Sequence, residues 1–325
     1  MNKLYLITGA TGHIGTILIS ELLKREAPIR ALVLPGDEAK LPSGIEIVVG
    51  DVTDERSLIP FFDRAGYDAL TLIHCAARIT VASKPDPRIW HVNVDGTETV
   101  MRMALAAGVE RALYISSVHA IPEKPKPHTI EEVDRFSVDL VQGQYAKSKA
   151  AAAQIALDYA KKGLNVSVVH PSGVIGPGDT MQQNHMIRTL RAMAKGAIPL
   201  ALQGGYDFVD SRDVVAGLLA CEERGRRGEC YILSGHFVTI LELLNMVRRI
   251  KGKRPKKAVL PYSVVKALAP AVEWFSRLFR QKAPFFTPYS IHTLQTNGRF
   301  SHAKATRELG YLPRQIEVSV GDSLS

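Results

Sequence analysis

The sequence predicts an α/β chain in which a doubly wound parallel sheet is followed by a smaller, mainly helical C-terminal lobe. Three observations carry this. The apolar run Leu4 to Ile7 leads directly into three glycines, Gly9, Gly12 and Gly15, and then into Thr16-Ile17-Leu18-Ile19, which reads as strand, tight turn and helix. Short apolar runs then recur with helical segments between them, the pattern of parallel strands buried on both faces. Beyond Val169 this alternation gives way to a breaker-rich stretch, Pro171, Gly173, Gly176, Pro177 and Gly178.

Taken in order, Ile14 to Lys24 carries apolar residues at helical spacing, and Ile29 to Leu34 supplies the second strand, completing one β-α-β unit. Ile45 to Val49, Ala69 to His74, Ala112 to Ser116 and Val166 to Val169 repeat the strand pattern. Right-handed crossovers place the C-terminal ends of these strands on one edge, where chemistry is expected. Met181 to Lys195, Asp210 to Cys221 and Leu241 to Ile250 then read as helices, and Tyr231 to Leu233 as a short strand. Ser301 to Leu309 and Ile316 to Leu324 read as closing helices. At this length a main domain over 1–175, to which 208–236 returns, and a smaller discontinuous substrate lobe over 176–325 are expected.

Hydrophobic residues at 46% and charged residues at 22% exclude disordered and fibrous classes. Cys75, Cys221 and Cys230 show neither paired nor metal-ligating spacing, so reduced thiols, no metal and a cytoplasmic location are expected. The first strand begins without the basic start and long apolar run of an export signal. Much of the net charge of +9 sits in one window, Arg248, Arg249, Lys251, Lys253, Arg254, Lys256 and Lys257, which contains no acid. It reads first as a solvated loop and helix end, with an anionic partner or membrane surface as the alternative. Nucleic acid is disfavoured, because neither interleaved aromatics nor a recognition motif accompanies it. Val259 to Phe279 is apolar but broken by Lys266, Pro270, Glu273 and Arg277, too polar to span a bilayer. Its stripe Val264, Leu268, Val272, Phe275 and Phe279 reads as a cap over a pocket, with a membrane-facing helix as the alternative.

The glycine turn asks for positive φ at Gly9, bare backbone at Gly12 and no side chain at Gly15, and it aims the first helical N–H groups at a phosphate. Asp51 and Val52 follow the third strand, beside the place of an adenine ring in a dinucleotide fold. Thr53 and Asp54 before Glu55 equally suggest a helix cap there. His74-Cys75-Ala76-Ala77 ends the fourth strand with small residues that let a ribose or phosphate approach, and Cys75 reads as a small buried hydrophobe. Ser116 and Ser117 end the fifth strand. Tyr145 and Lys149, at i and i+4, share a helix face. An ammonium there lowers a phenol from its usual pKa of about 10, which makes Tyr145 a general acid or base while Ser117 holds a substrate oxygen.

Together these motifs resemble the extended short-chain dehydrogenase/reductases of the NAD-dependent epimerase/dehydratase superfamily, which have a Rossmann-type sheet, and the resemblance covers most of the chain. Thr8 to Gly15 stands for that family's glycine turn, Asp51-Val52 for its Asp-hydrophobic pair and His74 to Ala77 for its His-x-Ala-Ala. Asn93 to Thr97 stands for its Asn-Val-x-Gly-Thr, and Tyr145 with Lys149 for its Tyr-x-x-x-Lys. The resemblance implies that Ser117, Tyr145 and Lys149 are catalytic. It implies that Gly9, Thr11, Gly12, His13, Ile14 and Gly15 hold the cofactor, together with Asp51, Val52, Ala76, Ala77, Tyr145, Lys149, Pro171 and Val174. His170 to Pro177 and Asp207 to Val214 are similar to the dihydroflavonol reductase-like subgroup. Ser117-Val118-His119-Ala120 lacks the Tyr-Gly common in nucleotide-sugar enzymes.

The expected function is hydride transfer between NAD or NADP and the carbonyl or alcohol of a small organic molecule. A nucleotide-sugar epimerase or dehydratase retaining NAD, and a non-catalytic cofactor-sensing protein, are the alternatives. The intact Ser117, Tyr145 and Lys149 speak against the second. The second strand ends Leu34-Pro35-Gly36, with Asp37 late and Arg30 at the strand's start, so NAD and NADP both stay open. The resemblance also suggests a homodimer through helices at Thr97 to Ala107 and Tyr145 to Lys162. The alanines of the second helix fit either that approach or packing on the chain's own sheet.

Overall fold

The computed structural model describes residues 2–80, 85–179, 184–261 and 293–324. Its strands are β1 (Lys3–Thr8), β2 (Ile29–Val33), β3 (Glu46–Val49), β4 (Ala69–His74), β5 (Arg111–Ile115) and β6 (Val166–Pro171). There follow β7 (Gly173–Ile175), β8 (Ala201–Leu202), β9 (Gly205–Asp210), β10 (Cys230–Leu233), β11 (His236–Thr239) and β12 (Val259–Leu260). The main sheet has seven strands in the order β10-β6-β5-β4-β1-β2-β3, every pair parallel. The order reverses between β1 and β4, which opens a crevice beyond the strand C-termini there.

Strand β1 shows why the runs are continuously apolar. Leu4 and Leu6 enter the core on one face of the sheet, Tyr5 and Ile7 the core on the other. Helices α1 (His13–Lys24) and α7 (Ser211–Arg224) pack together on the second face, while α4 (Gly96–Ala106) and α5 (Gln144–Lys161) cover the first. Ala150, Ala152, Ala153 and Ala156 of α5 are fully buried in that first core, so these alanines serve the chain's own packing. The short helices α2 (Glu55–Leu58) and α3 (Pro87–Trp90) start at side-chain caps, Asp54 and Asp86.

Later elements differ from expectation for local reasons. α6 (His185–Lys195) begins where it does because Asn184 accepts from the N–H groups of Met186 and Ile187. α8 (Ile240–Ile250) starts at a capping box of Thr239 and Glu242. Two small sheets, β11-β9-β7 and β12-β8, follow the main one. Two-residue partners such as β8 and β12 leave no readable period. Of the apolar stretch expected from Val259 to Phe279, residues 262–279 lie outside the described residues, and Val259–Leu260 forms β12, parallel to β8. Among the described residues, no helix is long and apolar enough to cross a membrane.

Candidate active site

The glycine turn meets its steric demands atom by atom. Gly9 has φ +66°, and a Cβ there lies 2.6 Å from the backbone nitrogen of Ala76; at Gly15 a Cβ lies 2.3 Å from the Gly9 carbonyl oxygen. At Gly12 the same atom meets only the Gly9 carbonyl, at 3.2 Å. α1 starts at Gly12 with no side-chain cap and no acid in its first turn. Its leading N–H groups are thus left to an outside acceptor, and a dinucleotide pyrophosphate fits both the bare backbone and the donors.

Behind this turn a buried chain of hydrogen bonds fixes the strand ends. The donor order follows from partners that have only one role. Thr97 Oγ1 donates to the Asn93 carbonyl (2.7 Å), so it accepts from Nε2–H of His74 (3.1 Å). Nδ1 of His74 then accepts from Thr8 Oγ1 (2.7 Å), which itself accepts from the Ala76 N–H (3.2 Å). Burial lowers the His74 pKa to about 3, in keeping with this neutral tautomer. Asn93, on a π-helical turn over His91–Asp95, exchanges two bonds with the Arg78 backbone (2.7 and 3.1 Å) and donates to Ser148 Oγ (2.9 Å). Burial drives the Cys75 thiol up to about 12, so it stays protonated.

Ser117, Tyr145 and Lys149 are all buried at this edge, Ser117 just past β5 and the other two on the first turns of α5. Lys149 Nζ donates to the Ile115 carbonyl (2.7 Å) and to the Tyr114 hydroxyl (3.2 Å). Tyr114 is thus a lysine partner that the sequence reading did not include. Desolvation lowers Lys149 to about 7 and raises the Tyr114 phenol. The Ser117 hydroxyl accepts from the His119 N–H (3.3 Å), and its carbonyl accepts from Nδ1–H of His170 (3.0 Å).

His119 builds the wall opposite. Its ring meets Tyr145 edge-on at 6.1 Å and stacks on Tyr206 at 5.7 Å, with Nε2 3.0 Å from the Tyr206 hydroxyl. Burial lowers His119 to about 4, so the ring is neutral near pH 7. Tyr206 packs edge-on against Phe208 and Phe300. His119, Tyr206 and Phe300 line a pocket with Val118, Ile121, Ile130 and Val141, and with the polar residues Glu123, Gln142 and Asn297. The segment ending in Phe300 closes it by returning to Ile130, where Ile130 N–H donates to the Arg299 carbonyl (2.8 Å) and Ser301 N–H to the Ile130 carbonyl (2.9 Å). His119 follows Ser117 by two residues and so carried a positional signal. Tyr206 carried none.

The remaining cofactor candidates fall into place differently. Asp51 Oδ1 accepts from both the N–H and the hydroxyl of Thr53 (2.9 and 2.8 Å), while Asp54 is the cap of α2. His13 donates Nε2–H to the Pro177 carbonyl (2.7 Å) and accepts at Nδ1 from Asn184 Nδ2 (2.9 Å), which also reaches the Val174 carbonyl (2.9 Å). Both ring nitrogens are therefore committed inside the chain, and they clamp Pro177 and Asn184 against the start of α1. Thr11, Ile14 and Ala77 are half-buried on this turn and the β4 loop, Val52 is buried beside α4, and Pro171 ends β6. Arg30 is buried in β2 against the Phe61 and Asp63 carbonyls and Glu46.

Residues 5–234 match the family model described as NAD dependent epimerase/dehydratase family. The chain is 30% identical to sterol demethylase protein B of Methylococcus capsulatus, across 98% of this chain and 97% of that one. It is also 30% identical to a putative dihydroflavonol 4-reductase of Synechocystis, across 100% and 94%. The crystal structure of gox2253 superimposes with a TM-score of 0.83 at 32% identity, covering 100% of this chain and 97% of that one. The cofactor class is accordingly NAD or NADP, the sheet is of Rossmann type, and the chain belongs to the NAD dependent epimerase/dehydratase family of enzymes.

Proposed function

We propose that this enzyme transfers a hydride between NAD or NADP and a ring-borne carbonyl or alcohol of an apolar, sterol-like molecule. The carrying observation is the pocket beside Tyr145, whose apolar walls are Val118, Ile121, Ile130, Val141 and Phe300, with the His119–Tyr206 pair and the polar residues Glu123, Gln142, Thr293, Thr296 and Asn297 around them. The name of one of the two relatives that share 30% identity over nearly their whole length, sterol demethylase protein B, points to the same substrate class. A nicotinamide, when bound, supplies or accepts the hydride at the substrate carbon. In the reducing direction Tyr145 gives its hydroxyl proton to the carbonyl oxygen and is reprotonated from solvent, while Ser117 donates a hydrogen bond to that oxygen. Lys149, one turn along α5, stabilises the phenolate that is left. Residues 1–175 and 208–236 form the cofactor domain in this reading, and the rest of 176–325 the substrate lobe.

Nicotinamide absorbance with a panel of sterol ketones and alcohols, set against nucleotide sugars, tests this. Turnover of a sterol with added cofactor is expected. Conversion of a nucleotide sugar without added cofactor overturns the reading in favour of an epimerase.

A further inference from the structure

The chain's excess positive charge is concentrated in two segments that pack together. α6 carries Arg188, Arg191 and Lys195, and the end of α8 with the following loop carries Arg248, Arg249, Lys251, Lys253, Arg254, Lys256 and Lys257, with no acid in either segment. Against a net charge of +9, the remainder of the chain is close to neutral. The two segments are joined in space, since α6 packs on α8 and Lys253 Nζ donates to the Ala194 carbonyl in the last turn of α6 (3.2 Å). The loop is folded back and held. Asn245 exchanges two bonds with the Lys256 backbone (2.9 and 2.7 Å), and Arg248 Nε donates to the Arg254 carbonyl (2.6 Å). A charge run that serves only solubility needs no such ties, which hold the loop backbone against α6 and α8 while residues 251–259 all stay exposed.

Large apolar side chains are exposed in and next to these same segments. Leu200 is 38% exposed, Ile250 at the end of α8 46%, and Val259 of β12 38%. The pairing of β12 with β8 sets Val259 opposite Ala201, next to Leu200. Duplex nucleic acid offers phosphates to such an array but no apolar layer behind them. A bilayer with anionic headgroups offers both: the headgroups face the cations, and the acyl boundary receives the apolar groups.

We propose that α6, the end of α8 and the 251–257 loop form a docking surface for an anionic lipid bilayer. It stands independently of the substrate reading and complements it, because an apolar alcohol or ketone partitions into the same bilayer.

The test is co-sedimentation of the full chain with vesicles of phosphatidylcholine alone or mixed with phosphatidylserine, at about 0.1 M and about 0.5 M salt. Binding to the mixed vesicles only, weakened at high salt as the Debye length falls below about 10 Å, is the expected result. Joint Lys253→Gln, Arg254→Gln, Lys256→Gln and Lys257→Gln substitution is expected to cut that affinity at least about tenfold. Ile250→Ser with Val259→Ser is expected to weaken it further, while dinucleotide affinity, measured by calorimetry, stays unchanged and reports an intact fold. Absence of vesicle binding at low salt overturns the proposal. So does a glutamine variant that binds vesicles as the parent does, or binding of duplex DNA or of an acidic protein without vesicle binding.

Discussion

His119 and Tyr206 share one hydrogen bond, Nε2 to hydroxyl at 3.0 Å, across stacked rings, and the same imidazole meets Tyr145 edge-on at 6.1 Å. Tyr206→Phe keeps the packing on Phe208 and Phe300 but strips the imidazole of that partner. We expect KM for the organic substrate to rise about tenfold, the value of one hydrogen bond of about 1.4 kcal/mol, with dinucleotide affinity unchanged. An unaltered KM counts against this pair as part of the substrate pocket. His119→Ala also removes a packing neighbour of Tyr145, and kcat is expected to fall with it.

Tyr145→Phe removes the ionisable oxygen and keeps the ring. Turnover is expected to drop by about a hundredfold or more, while calorimetry shows dinucleotide binding close to that of the parent. Retained turnover sinks the assigned mechanism.

The glycines divide into those fixed by contact and those fixed by conformation alone. Gly9→Ala sets a Cβ 2.6 Å from backbone at φ +66°, so thermal unfolding should show a loss of more than about 2 kcal/mol and no dinucleotide binding. Gly36 has φ +86° with nothing within 4 Å, so Gly36→Ala is expected to cost only about 1 kcal/mol. Equal effects of the two substitutions contradict the cradle geometry.

Among the described residues, burial lowers five imidazoles, His13, His74, His119, His170 and His302. Unfolded, each takes up a proton near pH 6.5, whereas in the folded chain His119 and His170 do so near 4 and His74 near 3. Between those values the unfolded chain binds more protons, so this stability is present above pH 6.5 and is lost as pH falls toward 4. Asp207, raised to about 6 by burial, and Glu132, raised likewise, act in the opposite sense and are outnumbered. Each uncompensated proton is worth about 1.4 kcal/mol per pH unit. The melting midpoint is therefore expected to be several degrees lower at pH 5 than at pH 7, and a higher midpoint at pH 5 refutes this account.

The sequence by itself determined the parallel sheet, the glycine turn and the positions of Ser117, Tyr145 and Lys149 at the strand edge. Each of these follows from local pattern: two-faced apolar strands, a turn that only glycine tolerates, and two residues one helical turn apart.

Tertiary structure alone decided the rest. Lys149 meets Tyr114 and the Ile115 carbonyl because α5 lies across the end of β5, a contact between positions 34 and 35 residues apart. His13 becomes a clamp through Pro177 and Asn184, partners more than 160 residues away. Glu132 Oε1 accepts from the Ile232 N–H (2.9 Å) and so covers the open edge of β10. The pocket unites His119, Tyr206 and Phe300 from three distant segments. No periodicity records such meetings, because side-chain pairing across a fold depends on where whole elements pack, and that is settled by burial summed over the chain rather than by neighbours in sequence.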